Sequence, residues 1–282
     1  MLKTAFLTIL ALQICLDRRG FSPNAMDGQY GPKTHRALTL YCKVNSLRPP
    51  AKADALEAYA TYFPGESDLF TTVAVTADDL EKITPIPSSP AGKAKLKHMG
   101  YASAKEMFAE RGHVTEHTLA RLNPAVDWNN LSPGTEIRIP EISPTAFGEK
   151  AAYLKVSLSS FLLTAHSADG GIMASFPCSI ARNRSALPPV GVMKITTAVP
   201  RPNYTYTPEV AGKPRHIFPP GPNNPVGTVW LGLSLPGYGI HGCPEPERVG
   251  RAESHGCFRL ANWNAEKLFE LVNSGTRVFV EK

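Results

Sequence analysis

Two His-Gly-Cys triplets stand close together in the last quarter of this 282-residue chain: His241-Gly242-Cys243 and His255-Gly256-Cys257. Three arginines (Arg248, Arg251 and Arg259) share the stretch, and Pro244, Pro246 and Gly250 bend it. Imidazoles and thiols at this density suit three chemistries. Zinc favours both ligand types, but only one residue separates the members of each pair, and zinc pairs usually sit two to four apart. A Cys243–Cys257 disulfide would account for the sulfurs and leave both histidines idle. A cysteine nucleophile with a histidine base uses more of the residues, because a thiol needs a base or a cationic neighbour to attack at neutral pH. Cys257 follows Gly256 at the exit of the loop. The glycine permits a sharp turn in which the N–H groups of Gly256 and Cys257 could converge on an oxyanion. His241, arriving from a strand end, could take the thiol proton. His255 lies too near Cys257 in sequence to swing onto it easily, and reads as a wall or oxyanion aid.

The elements that must carry this loop are β-strands. From Tyr153 onward the sequence alternates and is rich in β-branched residues: Tyr153–Leu158 and Phe161–Ala165 read as strands, with Asp169-Gly170-Gly171 as a hairpin turn into Ile172–Ile180. Val192–Val199 and Gly227–Leu233 are further strand candidates, joined by a long Pro/Gly loop over Pro200–Pro225. A loop of that length in a compact domain is often functional. Asn262 or Asn264 can cap a helix carrying Leu268, Leu271 and Val272; Gly275 ends it, and Thr276–Glu281 closes as a strand. The expected fold is multidomain α+β, ending in a mainly antiparallel β domain with one late helix.

Ile240-His241-Gly242 followed by Ser254-His255-Gly256-Cys257-Phe258-Arg259-Leu260 resembles the L,D-transpeptidase (YkuD) catalytic domain. Pro189-Val190-Gly191, Asn224-Pro225-Val226-Gly227 and Gly237-Tyr238-Gly239 match it as well, and the resemblance covers about 151–281. It implies Cys257 as nucleophile, His241 as general base, the Gly242 carbonyl orienting that base, and Arg259, Ser254 and Tyr238 as substrate contacts. It implies attack on peptidoglycan tetrapeptide stems, release of D-Ala, and transfer of the acyl group to an amine (a cross-link or a protein anchor) or to water. No metal and no organic cofactor is expected. The partners would be stem peptides and glycan, and the place the periplasm or cell envelope. Where the family usually has threonine this chain has Cys243, and Asn264 stands where Asp is common. The rival from another class is a non-catalytic wall-binding protein whose His/Cys loop is oxidised or zinc-capped.

Upstream, Thr8–Arg19 reads as an amphipathic helix ended by Gly20, and Lys33–Tyr41 as a second. Leu12-Gln13, Leu16, Gly20-Phe21, Asp27-Gly28, Gly31 and Lys33-Thr34 together resemble peptidoglycan-binding domain 1, which implies a small helical module over 1–50. The segment 51–100 reads as an Ala-rich helical arm (Ala51–Tyr62) and a Pro/Ser-rich connector (Ile83–Gly92). Over 101–142, Ser103 with Glu106 forms a capping-box signature, a helix spans Glu116–Leu122, and Leu131–Pro140 ends in a strand. This resembles the second half of a LysM module, with Lys95–Tyr101 the nearest stand-in for the first strand. The catalytic domain is expected over 150–282.

Composition narrows the classes. The formal charge of +6 is spread as basic ends and an acidic middle: seven basic and two acidic side chains over 1–50, ten and fourteen over 51–150, thirteen and eight over 151–282. No Lys/Arg run or base-reading motif points to nucleic acid. Five cysteines leave at least one thiol unpaired and make no disulfide scaffold. The first sixteen residues imitate a secretory signal without its cleavage site, and no apolar run is long enough to span a membrane. Cys15 and Cys42 could pair in an oxidising compartment or remain buried thiols.

Overall fold

The computed structural model describes residues 2–51, 57–142, 147–208, 214–254 and 256–282. Helix α1 (Leu2–Arg18) starts earlier than the pattern predicts and buries most of its circumference: Leu10, Leu12, Ile14, Cys15 and Leu16 are fully inside. It ends where Gly20 adopts φ +81°, with the Gly20 N–H on Asp17 O and the Phe21 N–H on Leu16 O. Those paired bonds satisfy the last carbonyls of the helix and require a left-handed residue. Helix α2 (Pro32–Val44) follows. The motif residues between the two helices are spent on joining them. The buried Gln13 amide donates to Asp27 Oδ1 (2.9 Å) and Thr34 Oγ1 (2.9 Å), and its oxygen accepts the Gly28 N–H (2.8 Å).

Of the expected arm Ala51–Tyr62 the described part is α3 (Ala58–Tyr62); residues 52–56 lie outside the described residues. Then come β1 (Phe70–Ala74), α4 (Ala77–Glu81), α5 (Pro90–Ala94), α6 (Ala104–Arg111), α7 (Glu116–Leu122) and β2 (Glu136–Pro140). Ser103 Oγ accepts the Glu106 N–H at 3.0 Å, as the capping signature requires. The expectation for the first strand of this region is corrected. The partner of β2 is β1, antiparallel in the register Phe70↔Pro140 to Ala74↔Glu136, and not Lys95–Tyr101. The segment 51–100 is therefore more than an arm and linker. One apolar cluster runs from Phe6 to Ile139 through all three upstream segments, with Phe63, Leu69, Phe108, Leu119 and Ile137 inside it.

A second cluster, Ala151 to Val280, fills the C-terminal half. Its strands are β3 (Tyr153–Ser157), β4 (Leu162–His166), β5 (Ile172–Pro177), β6 (Ile180–Ala181), β7 (Gly191–Pro200), β8 (Tyr204–Tyr206), β9 (His216–Phe218), β10 (Val229–Leu233), β11 (Gly239–His241), β12 (Ala252–Ser254) and β13 (Phe258–Arg259). Helix α8 (Asn262–Leu271) and β14 (Arg277–Glu281) complete it. Eight of these strands form one sheet in the order β13-β11-β10-β7-β14-β3-β4-β5. Within this sheet pairings are antiparallel except β14 with β3 and β11 with β13; outside it β12 pairs parallel with β6. The mainly antiparallel domain with one late helix is as expected.

Two local expectations change. The Pro200–Pro225 stretch carries the two-stranded hairpin β8–β9, whose three-residue strands are too short to show a period; residues 209–213 at its far end lie outside the described residues. Neither Asn262 nor Asn264 caps α8. Ala261 occupies the N-cap position without a side-chain bond, and Asn262 is turned inward.

Candidate active site

The site lies at the β13 edge of the large sheet, where β10 turns into β11 and β13 runs parallel to β11. His241, 4% exposed, ends β11 opposite Trp230 of β10, and the two rings stack at 5.6 Å between centroids. The indole covers one imidazole face and excludes water from it. His241 Nδ1 lies 2.6 Å from the carbonyl oxygen of Gly242. A carbonyl only accepts, so Nδ1 carries the proton and Nε2 is left with its lone pair. Burial lowers the imidazole to about 4, with the positive charge of Arg259 acting in the same direction and the Gly242 bond opposing it. The resting ring is neutral at physiological pH.

Cys257 immediately precedes β13 and is partly exposed, unlike the other four cysteines, which are buried. Its thiol donates to the carbonyl of Gly237 in the β10–β11 turn at 3.6 Å. Burial pushes this thiol above its ordinary range, against a backbone hydrogen bond at Gly239 and the charge of Arg259. Cys257 and His241 thus rest as thiol and neutral imidazole. Arg259 pairs with His241 across the parallel strands, and its backbone exchanges two hydrogen bonds with Ser179 (3.0 and 2.8 Å). Its Nε is buried and has no hydrogen-bond partner among the described residues. Cys257, His241 and Arg259 open with Trp230, Tyr204 and Gly237 onto one cavity of ≈ 300 Å³.

The other expected residues divide. Ser254, 3% exposed, donates its hydroxyl to the Cys257 carbonyl at 2.6 Å and accepts the Gly256 N–H at 3.3 Å. The hydroxyl expected on substrate is spent closing the nucleophile's own loop, and the Gly256 N–H expected on the oxyanion is directed to Ser254. Tyr238 is half-buried, packs against Gly256, and donates its hydroxyl to the Ala186 carbonyl at 3.3 Å; it buttresses the loop from outside the cavity wall. His255 lies outside the described residues. Cys243 is 5% exposed, with its Sγ 3.9 Å from the Glu245 carbonyl, and both it and Cys257 are free thiols. Cys15 and Cys42 are likewise free and buried. Trp230 and Tyr204 escaped the sequence reading of the site. The strand pattern contained Trp230, but only the cross-strand register places it on His241.

The L,D-transpeptidase catalytic domain (YkuD) matches residues 151–280, the segment that builds this cavity. A Bacillus licheniformis protein carrying the name L,D-transpeptidase YkuD is 30% identical over 176 residues, covering 62% of this chain and 92% of the relative. The chain belongs to the L,D-transpeptidase family. A Fuscovulum blasticum protein that also carries an L,D-transpeptidase name is 37% identical over 115 residues, covering 40% of this chain and 60% of that protein. Among solved structures, the catalytic domain of the Enterococcus faecium L,D-transpeptidase acylated by ertapenem aligns over 48% of this chain and 99% of its own length, at 22% identity and a TM-score of 0.36. This L,D-transpeptidase domain occupies less than half of the present chain, and the upstream half has no counterpart in the family match.

Proposed function

We propose that this L,D-transpeptidase cleaves peptidoglycan tetrapeptide stems through a thioester on Cys257. The observation that carries the reading is the cavity that brings a partly exposed thiol, a buried imidazole with its Nδ1 proton fixed on Gly242, and an arginine onto one space. Cys257 Sγ attacks the carbonyl carbon before the terminal D-Ala, and its proton passes to His241 Nε2. The C–N bond breaks, the imidazolium returns the proton to the leaving nitrogen, and D-Ala departs. The amine of a neighbouring stem, or water, then attacks the thioester and regenerates the thiol. The resting imidazole, held down to about 4, is a weak base but a strong acid once charged, which favours protonating the leaving amine. Arg259, with its free buried Nε, is the group proposed to hold a substrate carboxylate. The Cys257 N–H is the oxyanion donor, with Gly256 joining it if its bond to Ser254 opens.

Residues 1–142 are proposed to keep the enzyme on the polymer and to brace the catalytic half, raising the effective concentration of stems. Their resemblance to peptidoglycan-binding modules supports the first role and their contacts with the catalytic half the second. The reading places the protein in the cell envelope, on the periplasmic side. No helix among the described residues is long and apolar enough to cross a membrane. The test is D-Ala release from purified disaccharide-tetrapeptide. Cys257→Ala is expected to lower it at least about a thousandfold, as for other covalent nucleophiles; release at the unaltered rate would end the reading.

A further inference from the structure

A continuous line of contacts joins the upstream half to the catalytic base. It starts at Glu110 on α6. Asn262, the first residue of α8 and wholly buried, donates its amide to both Glu110 carboxyl oxygens (3.3 and 3.1 Å) and to the Pro222 carbonyl (3.1 Å). Tyr101 adds its hydroxyl to Glu110 Oε1 at 3.2 Å. The Asn262 Oδ1 accepts the Thr228 N–H at 3.3 Å and lies in the space that side chains on Gly227 or Gly242 would need, 2.2 and 2.4 Å from where their Cβ atoms would stand. Gly227, at φ +62°, approaches the Gly242 backbone so closely that only glycine fits at either position. Gly242 is therefore held on both sides. The N–H of the peptide before it is tied to Val229 O at 3.1 Å, Asn262 and Gly227 close against its Cα, and the carbonyl of the peptide after it holds the His241 Nδ1 proton.

We propose that Glu110 and Asn262 are positioning residues for the reaction: Glu110 fixes the Asn262 amide, Asn262 fixes the Gly242 peptide, and that peptide fixes the tautomer and tilt of His241. The inference rests on His241 being the base. It makes the upstream half a working part of the catalytic domain, because one acceptor of the Asn262 amide, Glu110, sits on α6 while the other, the Pro222 carbonyl, belongs to the catalytic half.

The acidity of Glu110 gives the arrangement a readable signature. Burial raises this carboxyl to about 8, the Asn262 and Tyr101 bonds opposing and the charge of Glu266 adding to the rise, with Glu106 adding less. The arginines of the adjoining segments are already engaged: Arg111 with Asp79, and Arg248 with Glu245 and Glu253. Glu245, Glu247 and Arg248 face Glu110 across a shared cavity, with Glu106 and Glu116 beside it. Near neutrality the group is a neutral acid. Above pH 8 it becomes a carboxylate, which accepts from Asn262 and Tyr101 more strongly while its charge meets Glu266 and Glu106, so the Glu110–Asn262 contact changes with its ionisation.

The experiment measures kcat and KM for D-Ala release from disaccharide-tetrapeptide between pH 6 and 9.5. It uses the full chain and the variants Glu110→Gln, Glu110→Ala, Asn262→Ala and the double alanine, with Cys257→Ala as reference. A misplacement of about 1 Å at the chemistry costs up to roughly a hundredfold. Asn262→Ala is thus expected to lower kcat ten- to a hundredfold with KM unchanged, and Glu110→Ala several-fold. The double variant should be no worse than Asn262→Ala alone, because the two act in series. Glu110→Gln, which keeps an uncharged acceptor at every pH, should retain kcat at pH 7 and abolish the change in kcat that the unaltered enzyme shows around pH 8. Full kcat in a folded Asn262→Ala protein, or additive losses in the double variant, would overturn the proposal. If Asn262→Ala does not fold, the pair Glu110→Gln and Glu110→Ala decides: equal kcat and equal alkaline limbs would overturn it. Persistent D-Ala release by Cys257→Ala would instead remove the reading beneath it.

Discussion

Among the contacts that join the halves of this molecule, two seams are built on opposite principles. In the first, Asp17 of α1 is fully buried and its Oδ2 accepts from His113 Nδ1 and from Lys267 Nζ of α8, each at 2.8 Å; the His113 ring stacks on Trp263 at 4.9 Å. The second is the Glu110–Asn262 contact, which is formally uncharged near neutrality. The charged seam closes on itself: none of its groups touches the catalytic cavity. The polar seam ends on the peptide that orients the base. One holds the halves together; the other also sets the site. Charge pairing suits adhesion, because breaking it leaves a buried ion, whereas a neutral network adds no field at an imidazole that rests uncharged.

The comparison breaks most visibly at its catalytic end. His241→Gln is expected to lower kcat by about 10²–10⁴, the usual worth of a general base, while thermal unfolding stays close to that of the unaltered protein. An unfolding shift as large as that of a seam variant would erase the distinction between holding and setting.

Asp17→Ala tests the other seam. It leaves Lys267 buried without its carboxylate, and removing one partner of a buried pair costs about 3–5 kcal/mol, measured by chemical denaturation. The folded fraction should keep its kcat and KM. A kcat loss without a stability loss would show that the charged seam also serves the site.

The seams should answer pH in opposite directions. Lys267 and His113 hold the Asp17 carboxyl well below the ordinary range despite its burial. Its contribution is full above the unfolded value near 3.9 and fades as pH falls below it. Burial lowers His113, so the unfolded chain takes that proton first and stability already declines as pH drops through about 6.5. Glu110, raised to about 8, binds its proton more tightly in the folded chain. Its contribution is full below the unfolded value near 4.3 and is lost as pH rises through 8. Tm followed from pH 4 to 9 should carry a Glu110 loss that accumulates between about 4.3 and 8 and levels off above it, and Glu110→Gln should remove that slope alone. An unchanged slope in that variant would contradict the assignment.

What could be read in the sequence follows the range of the interactions. Ile240–Gly242 and Ser254–Leu260 carry their chemistry in residue types, so Cys257 and His241 could be proposed as nucleophile and base by number, and the Gly242 carbonyl as the group on the His241 ring. Strands with five or more alternating residues, such as β3 and β14, announce themselves by period. Contacts made at a distance do not. β1 and β2 pair across the whole helical middle, and nothing local in Phe70–Ala74 names its partner. Asn262 resembles a helix cap because its environment includes Glu110, 152 positions earlier. Ser254 and Tyr238 look like substrate contacts from their place in the motif, yet the loop consumes both hydroxyls. Cys243 is buried beside the Glu245 carbonyl and does not line the cavity.

The central claim is that Cys257 carries the acyl group. Intact-mass measurement of the full chain, mixed with a tetrapeptide stem and quenched in acid within the first turnovers, tests it most directly. The account predicts an adduct equal to the stem less D-Ala, released by hydroxylamine, mapping to the peptide that contains Cys257 and absent from Cys257→Ala. An adduct of the same mass on the Cys257→Ala protein, or D-Ala release with no adduct at any quench time and none trapped in His241→Gln, would contradict it.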